Sequence, residues 1–272
     1  MRVSIISDEI SRDPMSAAEL AADWGLRHLE LRMFYGSRAP RNMTASDIEQ
    51  LAKAAATFDL DVPSISPGLF KIGLADEAIA EHRGELRVRC LDMAEMLGAR
   101  TMVVFPYVRA DRDEPEDRWP PELVTDLRET ARVAAERGIV VAVENEPICY
   151  AATGPSMAKL LDAIDEPNCR ANWDPANHWV YRHESFSAGY EALRDHVAHV
   201  HVKDHLPGEG RHQTLPPGQG QVGWPGQVRA LIDDGYDGLM VVETHFTPRI
   251  AASRACVEAL LDILREVGEP VE

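Results

Sequence analysis

Short apolar runs alternate with longer amphipathic stretches along the whole chain. The apolar runs have the length of strands, and each is followed by a segment in which apolar residues recur at helical spacing. The eight runs are VSIIS (3–7), HLELRM (28–33), VPSIS (62–66), TMVVF (101–105), IVVAVE (139–144), CRANWD (169–174), AHVHVKD (198–204) and GLMVVE (238–243). The pattern therefore predicts eight consecutive strand–helix units.

This order predicts an α/β protein built as a single (β/α)8 TIM barrel over residues 1–272. Two doubly wound domains are the alternative, but no break in composition separates the units and no GxGxxG turn follows an early strand. A long helix is expected from about Asp76 to Leu97. The irregular segment from Leu206 to Gly223 is expected to be an active-site loop.

The charge and composition of the chain narrow the possible partners. The formal net charge of −17 argues against nucleic-acid binding, which depends on clustered Lys and Arg. No apolar run approaches the roughly 18 residues that cross a bilayer, so membrane insertion is not expected. The first strand follows Met1 directly, and the four scattered cysteines form no CxxC pair, so we expect a cytoplasmic protein with reduced thiols.

One strand carries polar side chains on a single face. In AHVHVKDH (198–205), the alternation of a strand directs His199, His201, Lys203 and His205 to one side and the valines to the other. A polar barrel interior explains such a face as well as a functional site does, because buried polar groups are normally hydrogen-bonded.

Ionisable residues stand at the carboxyl ends of four successive strands, where barrel enzymes place their active sites. The residues are Glu144, Asp174, His201 and Glu243. Three carboxylates packed together repel one another unless a cation or protons compensate them. The sequence therefore predicts a divalent-metal site with these four ligands, for Mn²⁺ or Mg²⁺, with Co²⁺ and Zn²⁺ as alternatives.

The motifs around these positions resemble those of the xylose isomerase-like TIM barrels, the group of sugar isomerases, ketose 3-epimerases and inosose dehydratases. They are VENEP (143–147), NWDPANHW (172–179), HVHVKDH (199–205), GQGQVGW (218–224) and VVETHF (241–246). The resemblance implies the same four metal ligands. It also implies that Glu144 and Glu243 carry protons on opposite faces of a bound sugar.

Further residues are candidates for substrate contact. The ketose epimerases often have a histidine three residues after the aspartate, whereas here Asn177 takes that position and His178 follows it. Lys203 could pair with a carboxylate or hold an enolate oxygen, and Arg211 could clamp a carboxylate or phosphate. Glu146 and His205 are the remaining candidates. Glu146 could alternatively hydrogen-bond to a metal-binding residue or form an ordinary ion pair. We expect Glu30 and Arg32 to form a salt bridge inside the barrel and His199 to be hydrogen-bonded there.

These residues predict a metal-dependent isomerase or epimerase that removes a proton beside the carbonyl of a small sugar or polyol ketone. A lyase that dehydrates a keto-sugar or keto-cyclitol through the same enediolate is the alternative. A non-catalytic sugar-binding barrel and an endonuclease-type barrel rank below both. The expected partner is a small-molecule substrate. If the chain associates, we expect a homodimer or a tetramer.

Overall fold

In the computed structural model, which describes residues 1–208 and 213–269, parallel strands form a closed barrel. The barrel strands are β1 (Arg2–Ile6), β2 (His28–Leu31), β3 (Asp61–Leu69), β4 (Thr101–Val104), β5 (Val140–Glu144), β6 (Cys169–Trp173), β7 (Val197–Val202) and β8 (Leu239–Val242). Each pairs with its neighbours in sequence, and β1 closes the ring against β8 through Ser4 and Val241. The single-barrel prediction is confirmed.

Helices cover the outside of the barrel, because the outward side chains of the strands are apolar and need to be shielded from water. The α-helices are Ser7–Ile10, Pro14–Asp23, Ala45–Thr57, Ile79–Arg83, Glu85–Leu97, Pro121–Ala135, Gly154–Ile164, Pro175–Arg182, Phe186–Leu193, Trp224–Asp233 and Arg249–Val267, with a 3-10 turn at Arg194–His196. Among the described helices, none is both long and apolar enough to cross a membrane.

Local sequence explains where several helices begin and end. Thr44 and Asp47 form a reciprocal capping box at the start of Ala45–Thr57, and Asp13 accepts a hydrogen bond from the backbone of Ser16. The helix expected from Asp76 to Leu97 is instead two helices, Ile79–Arg83 and Glu85–Leu97. The backbone of Gly84 between them has φ −114° and ψ −106°, which is not helical.

Two small hairpins stand at the carboxyl ends of the strands, the end of the barrel that we call the mouth. One pairs Met33–Phe34 with Ser37–Arg38 after β2, and the other pairs Asp204–Leu206 with Gln213–Leu215 after β7. The second strand of this hairpin, Gln213–Leu215, lies in the segment Leu206–Gly223 that was predicted to be an irregular loop. The buried carboxylate of Asp204 organises the rest of that loop, because it accepts backbone hydrogen bonds from Gly218, Gly220 and Val222 at 2.9–3.1 Å.

Candidate active site

The four predicted metal ligands meet at the mouth. Glu144 ends β5, Asp174 follows β6, His201 lies in β7 and Glu243 follows β8. All four are buried, and one donor atom from each lies within 4.8 Å of the donor atoms of the others. We call these four residues the carboxylate–histidine cluster. The barrel therefore brings the four predicted side chains together, and the cluster could hold a metal ion.

The imidazole of His201 is oriented by a carboxylate from inside the barrel. Its Nε2 lies 2.8 Å from Oε1 of Glu30, so Nε2 carries the proton and Nδ1 faces the other way. That Nδ1 lies 3.4 Å from Glu144 and 4.0 Å from Glu243, buried and without a hydrogen-bond partner. An imidazole lone pair facing two carboxylates requires a cation or a proton between them, so the donors fit a divalent ion.

When no ion is bound, a proton can lie between the imidazole of His201 and the neighbouring carboxylates. Burial alone would lower the pKa of His201, but the negative charges of Glu30 and Glu144 raise it well above its usual value. Although burial would raise the pKa of Glu144, the charge of His201 lowers it. The metal-free site therefore favours an imidazolium beside an ionised glutamate.

Lys203 contacts two members of the carboxylate–histidine cluster. Its ammonium group donates to Asp174, and it donates to Oε2 of Glu243 at 2.5 Å. These carboxylates raise the pKa of Lys203 well above its usual value, against the effect of burial. Burial raises the pKa of Asp174 to about 6, and the two nearby glutamates add to this while Lys203 opposes it. The ammonium thus offsets part of the negative charge of the cluster.

The second oxygen of Glu243 is held from the opposite side by Arg32 and His245. Oε1 accepts from Nη1 of Arg32 at 2.8 Å and lies 2.8 Å from Nε2 of His245. Arg32 also pairs with Asp8 at 2.9 Å and Glu9 at 2.7 Å. Burial would raise the pKa of Glu243, but its contacts with His245, Lys203 and His201 lower it well below the usual value. Glu243 is therefore an ionised carboxylate with little basicity.

The expected salt bridge between Glu30 and Arg32 is wrong. Glu30 instead accepts hydrogen bonds from both strand histidines and from Ser64, with His199 Nε2 at 2.6 Å and Ser64 Oγ at 2.8 Å. Arg32 comes just after the end of β2, so its side chain reaches the carboxylates at the ends of β1 and β8 rather than the barrel interior. The expected interior role of His199 is confirmed.

Two of the predicted substrate-contact residues lie beside the cluster. The amide of Asn177 donates to Oε1 of Glu144 at 3.1 Å, and its backbone N–H donates to Asp174 at 2.9 Å, which caps the helix Pro175–Arg182. Glu146 is ion-paired with Nζ of Lys71 at 2.6 Å. Asn177 therefore contacts Glu144 directly, and Glu146 lies two residues after Glu144 along the chain.

His178 and His205 lie differently. His178 is 2% exposed, and its ring packs 5.6 Å from that of Trp173 and against Gly189 of the helix layer, away from the carboxylate–histidine cluster. Neither ring nitrogen of His178 has a hydrogen-bond partner among the described residues, and burial lowers its pKa to about 4. His205 is buried in the second hairpin, with its ring 6.3 Å from that of Trp179. Arg211 lies outside the described residues.

Sequence reasoning missed several charged groups at the mouth. Asp8 and Glu9 come directly after β1, and His245 comes two residues after Glu243, so the strand-end rule applied more widely would have found them. Lys71 and Arg38 carry no such signal, because they stand beyond the strand ends in a loop and a hairpin. Lys71 also places its ammonium 4.4 Å from the centre of the Phe105 ring.

The protein is a TIM barrel with a buried group of three carboxylates and a histidine at its mouth that could hold a metal ion. A family model described as "Xylose isomerase-like TIM barrel" matches residues 18–267, and the chain belongs to this family. The predicted resemblance is confirmed.

The relatives include dehydratases and an epimerase. An inosose dehydratase from Clostridium perfringens is 24% identical over 247 residues, which cover 79% of this chain and 78% of the relative. The structure of a probable 3-DHS dehydratase, AsbF, from Bacillus anthracis matches with a TM-score of 0.78 at 18% identity, over 96% of this chain and 99% of AsbF. A D-allulose 3-epimerase from Methylomonas sp. matches with a TM-score of 0.76 at 18% identity, over 97% and 96% of the two chains. At these identities, the structural matches establish the fold.

Proposed function

We propose that this protein is a divalent-metal-dependent enzyme that removes the proton beside the carbonyl of a small polyhydroxy ketone and then eliminates water. The observation that carries the proposal is the ammonium of Lys203, which touches Asp174 and Glu243 inside the carboxylate–histidine cluster. An isomerase or epimerase, our first prediction from the sequence, becomes the second candidate, because Lys203 places a charged N–H group beside the cluster. A divalent ion held by the same carboxylates would lower the raised pKa of Lys203, so that its ammonium could protonate a leaving hydroxyl.

The metal ion would be held by Glu144, Asp174, His201 and Glu243, and when bound it would polarise the ketone and its neighbouring hydroxyl. Glu144 is the better base of the two glutamates. Its oxygens contact the neutral amides of Asn172 at 3.2 Å and Asn177 at 3.1 Å, and the nearby His201 would be a neutral imidazole when it holds the metal. Glu243 is instead held by Arg32 and Lys203. A carboxylate paired with cations is a weaker proton acceptor, so Glu243 serves as a ligand.

The elimination then divides between two side chains. The C–H bond beside the carbonyl breaks and its proton passes to Glu144. The C–O bond of the β-hydroxyl breaks next, the departing oxygen takes a proton from Lys203 and leaves as water, and a C=C bond remains conjugated with the ketone. Glu144 then releases its proton to solvent, and Lys203 takes up a proton from solvent.

The second candidate is favoured by the presence of two glutamates in one cluster. In an epimerisation, one glutamate removes the proton and the other returns it on the opposite face, and no hydroxyl leaves. The tight pairing of Glu243 with Arg32 at 2.8 Å and Lys203 at 2.5 Å counts against it as a proton carrier. Asn177 cannot replace the missing histidine as an acid.

Proton NMR in deuterated buffer with Mn²⁺-loaded protein tests the proposal on ketoses, inososes and cyclic hydroxy-ketone acids. A new enone signal with loss of water supports dehydration, whereas deuterium in an otherwise intact ketone supports the second candidate. Glu144→Gln should abolish both reactions, and Glu258→Gln, at an exposed ion pair, is the matched control. If no divalent ion binds at micromolar concentration and Glu243→Gln changes nothing, the enzyme proposal fails.

A further inference from the structure

A guanidinium group from the first hairpin reaches the mouth of the barrel. Arg38 pairs through its backbone with Met33, and its side chain lies across Gly68 near the end of β3. Gly68 has φ +74°, and a methyl group on its Cα would stand 2.9 Å from Cζ of Arg38. The backbone conformation thus favours glycine at this position, and a larger residue would require the Arg38 side chain to move.

Arg38 has no anionic partner in the described part of the protein. Its Nη1 is shielded from solvent and makes no hydrogen bond. The neighbouring cations differ, since Lys203, Arg32 and Lys71 each donate to at least one carboxylate. A buried guanidinium nitrogen without a hydrogen-bond acceptor is energetically unfavourable, so a ligand that supplies an acceptor would be stabilised there.

The charges that act on Arg38 include two members of the carboxylate–histidine cluster. Burial lowers the pKa of its guanidinium, the positive charge of Arg32 lowers it further, and Glu144, Asp8 and Glu243 act in the opposite direction. Two of these three carboxylates belong to the carboxylate–histidine cluster. A substrate bound at the cluster therefore lies within electrostatic reach of Arg38.

We propose that Arg38 binds a carboxylate of the substrate, which makes the substrate a polyhydroxy keto acid rather than a neutral sugar or cyclitol. This inference rests on the proposed function and names its substrate class. The planar guanidinium fits the two oxygens of a carboxylate or of a phosphate. The single positive charge of Arg38 balances a carboxylate monoanion, whereas a phosphate dianion would need a second cation. The other cations at the mouth already donate to carboxylates, so a dianion would find few further donors.

Binding of two unreactive cyclic polyols tests the recognition separately from catalysis. Quinate carries a carboxylate and myo-inositol does not, and both are titrated calorimetrically into the metal-loaded protein. Arg38→Met should weaken quinate binding by roughly 10- to 100-fold, as expected for loss of a charge-assisted hydrogen bond, and leave myo-inositol unchanged. Arg27→Met, which removes an exposed arginine paired with Asp59, is the matched control. Equal quinate affinity in Arg38→Met and wild type would overturn the proposal.

Two further variants keep the test decisive if Arg38→Met folds poorly. Arg38→Lys keeps the charge but loses the planar fork, and Gly68→Ala displaces the guanidinium without changing charge. Both should weaken quinate binding with metal content unchanged. If neither variant changes quinate affinity, Arg38 does not bind the carboxylate.

Turnover separates this inference from the proposed function. 3-Dehydroshikimate and scyllo-inosose are six-membered hydroxy-ketones with and without a carboxylate, and kcat/KM should favour the acid in wild type but not in Arg38→Met. Turnover of the neutral ketone, or of a phosphorylated ketose, in preference to the acid would overturn the inference while the proposed function stands. Arg38-dependent quinate binding without turnover of any ketone would support the inference while the proposed function fails.

Discussion

Replacement of His178 by Leu separates a packing role from a substrate-binding one. The imidazole is 2% exposed, lies between Trp173 and Gly189, and has no hydrogen-bond partner for either ring nitrogen among the described residues. Burial lowers its pKa from 6.5 to about 4. Leucine fills a similar volume without polar atoms, so the change should preserve packing and remove the titrating group.

The size of the effect follows from linkage between protonation and folding. As the pH falls below 6.5, His178 becomes protonated in the unfolded chain, whereas in the folded state it stays neutral until about pH 4. The free energy of unfolding therefore decreases across this window, by about 2 kcal/mol at pH 5 and about 3 kcal/mol in full. The free energy of unfolding of His178→Leu should not show this decrease. At neutral pH, it should equal or exceed that of wild type.

Urea denaturation followed by circular dichroism at pH 7 and pH 5 measures the difference. The gap in unfolding free energy between His178→Leu and wild type should widen by about 2 kcal/mol on acidification. Turnover at neutral pH should be unchanged, because the ring does not face the carboxylate–histidine cluster. A pH-independent gap, or a large loss of turnover in a well-folded variant, would refute the assignment of His178 to packing.

Three further outcomes are expected. Glu30→Gln should weaken divalent-metal binding by roughly 10- to 100-fold, because an amide holds the His201 ring less firmly, and titration with Mn²⁺ measures it; undiminished affinity would exclude Glu30 as a positioning residue. Lys203→Met should retain metal while kcat falls by roughly 10²- to 10⁴-fold, and unaltered dehydration would rule out Lys203 as the acid. Chelation should lower Tm, since an ion at 100 times its Kd adds about 2.7 kcal/mol, and a Tm indifferent to added metal would argue against the site.

The barrel could be predicted because its signal is local and repeated. Strands buried on both faces are short apolar runs, and turn residues separate them from helices, so eight units can be recognised from neighbouring residues alone. The hairpin that includes Asp204–Leu206 could not be recognised in this way. It is accompanied by a buried carboxylate that accepts backbone hydrogen bonds from Gly218, Gly220 and Val222, 14 to 18 residues further along the chain.

The proximity of the four residues of the carboxylate–histidine cluster was predictable for a similar reason. Parallel strands bring their carboxyl ends to one place, so the first ionisable residue after each apolar run indicates a member of the site. The pairing of those residues was not predictable. Glu30 and Arg32 alternate on one strand and read as partners, yet Glu30 contacts His199 and His201, whereas Arg32 contacts Glu243. Partner choice depends on atoms brought together by the closed barrel.

The same distinction separates the chemistry of the site from its specificity. Glu144, Asp174, His201 and Glu243 suit any reaction that begins with proton removal beside a ketone, and the matched structures include both a dehydratase and an epimerase. What can distinguish the outcomes is the acid beside the cluster and the group that orients the far end of the substrate. Lys203 has the strand parity that brings it to the cluster, but Arg38 reaches the mouth only because Gly68 leaves room for its guanidinium. Reaction type and substrate class are therefore best sought in side chains outside the metal-binding set.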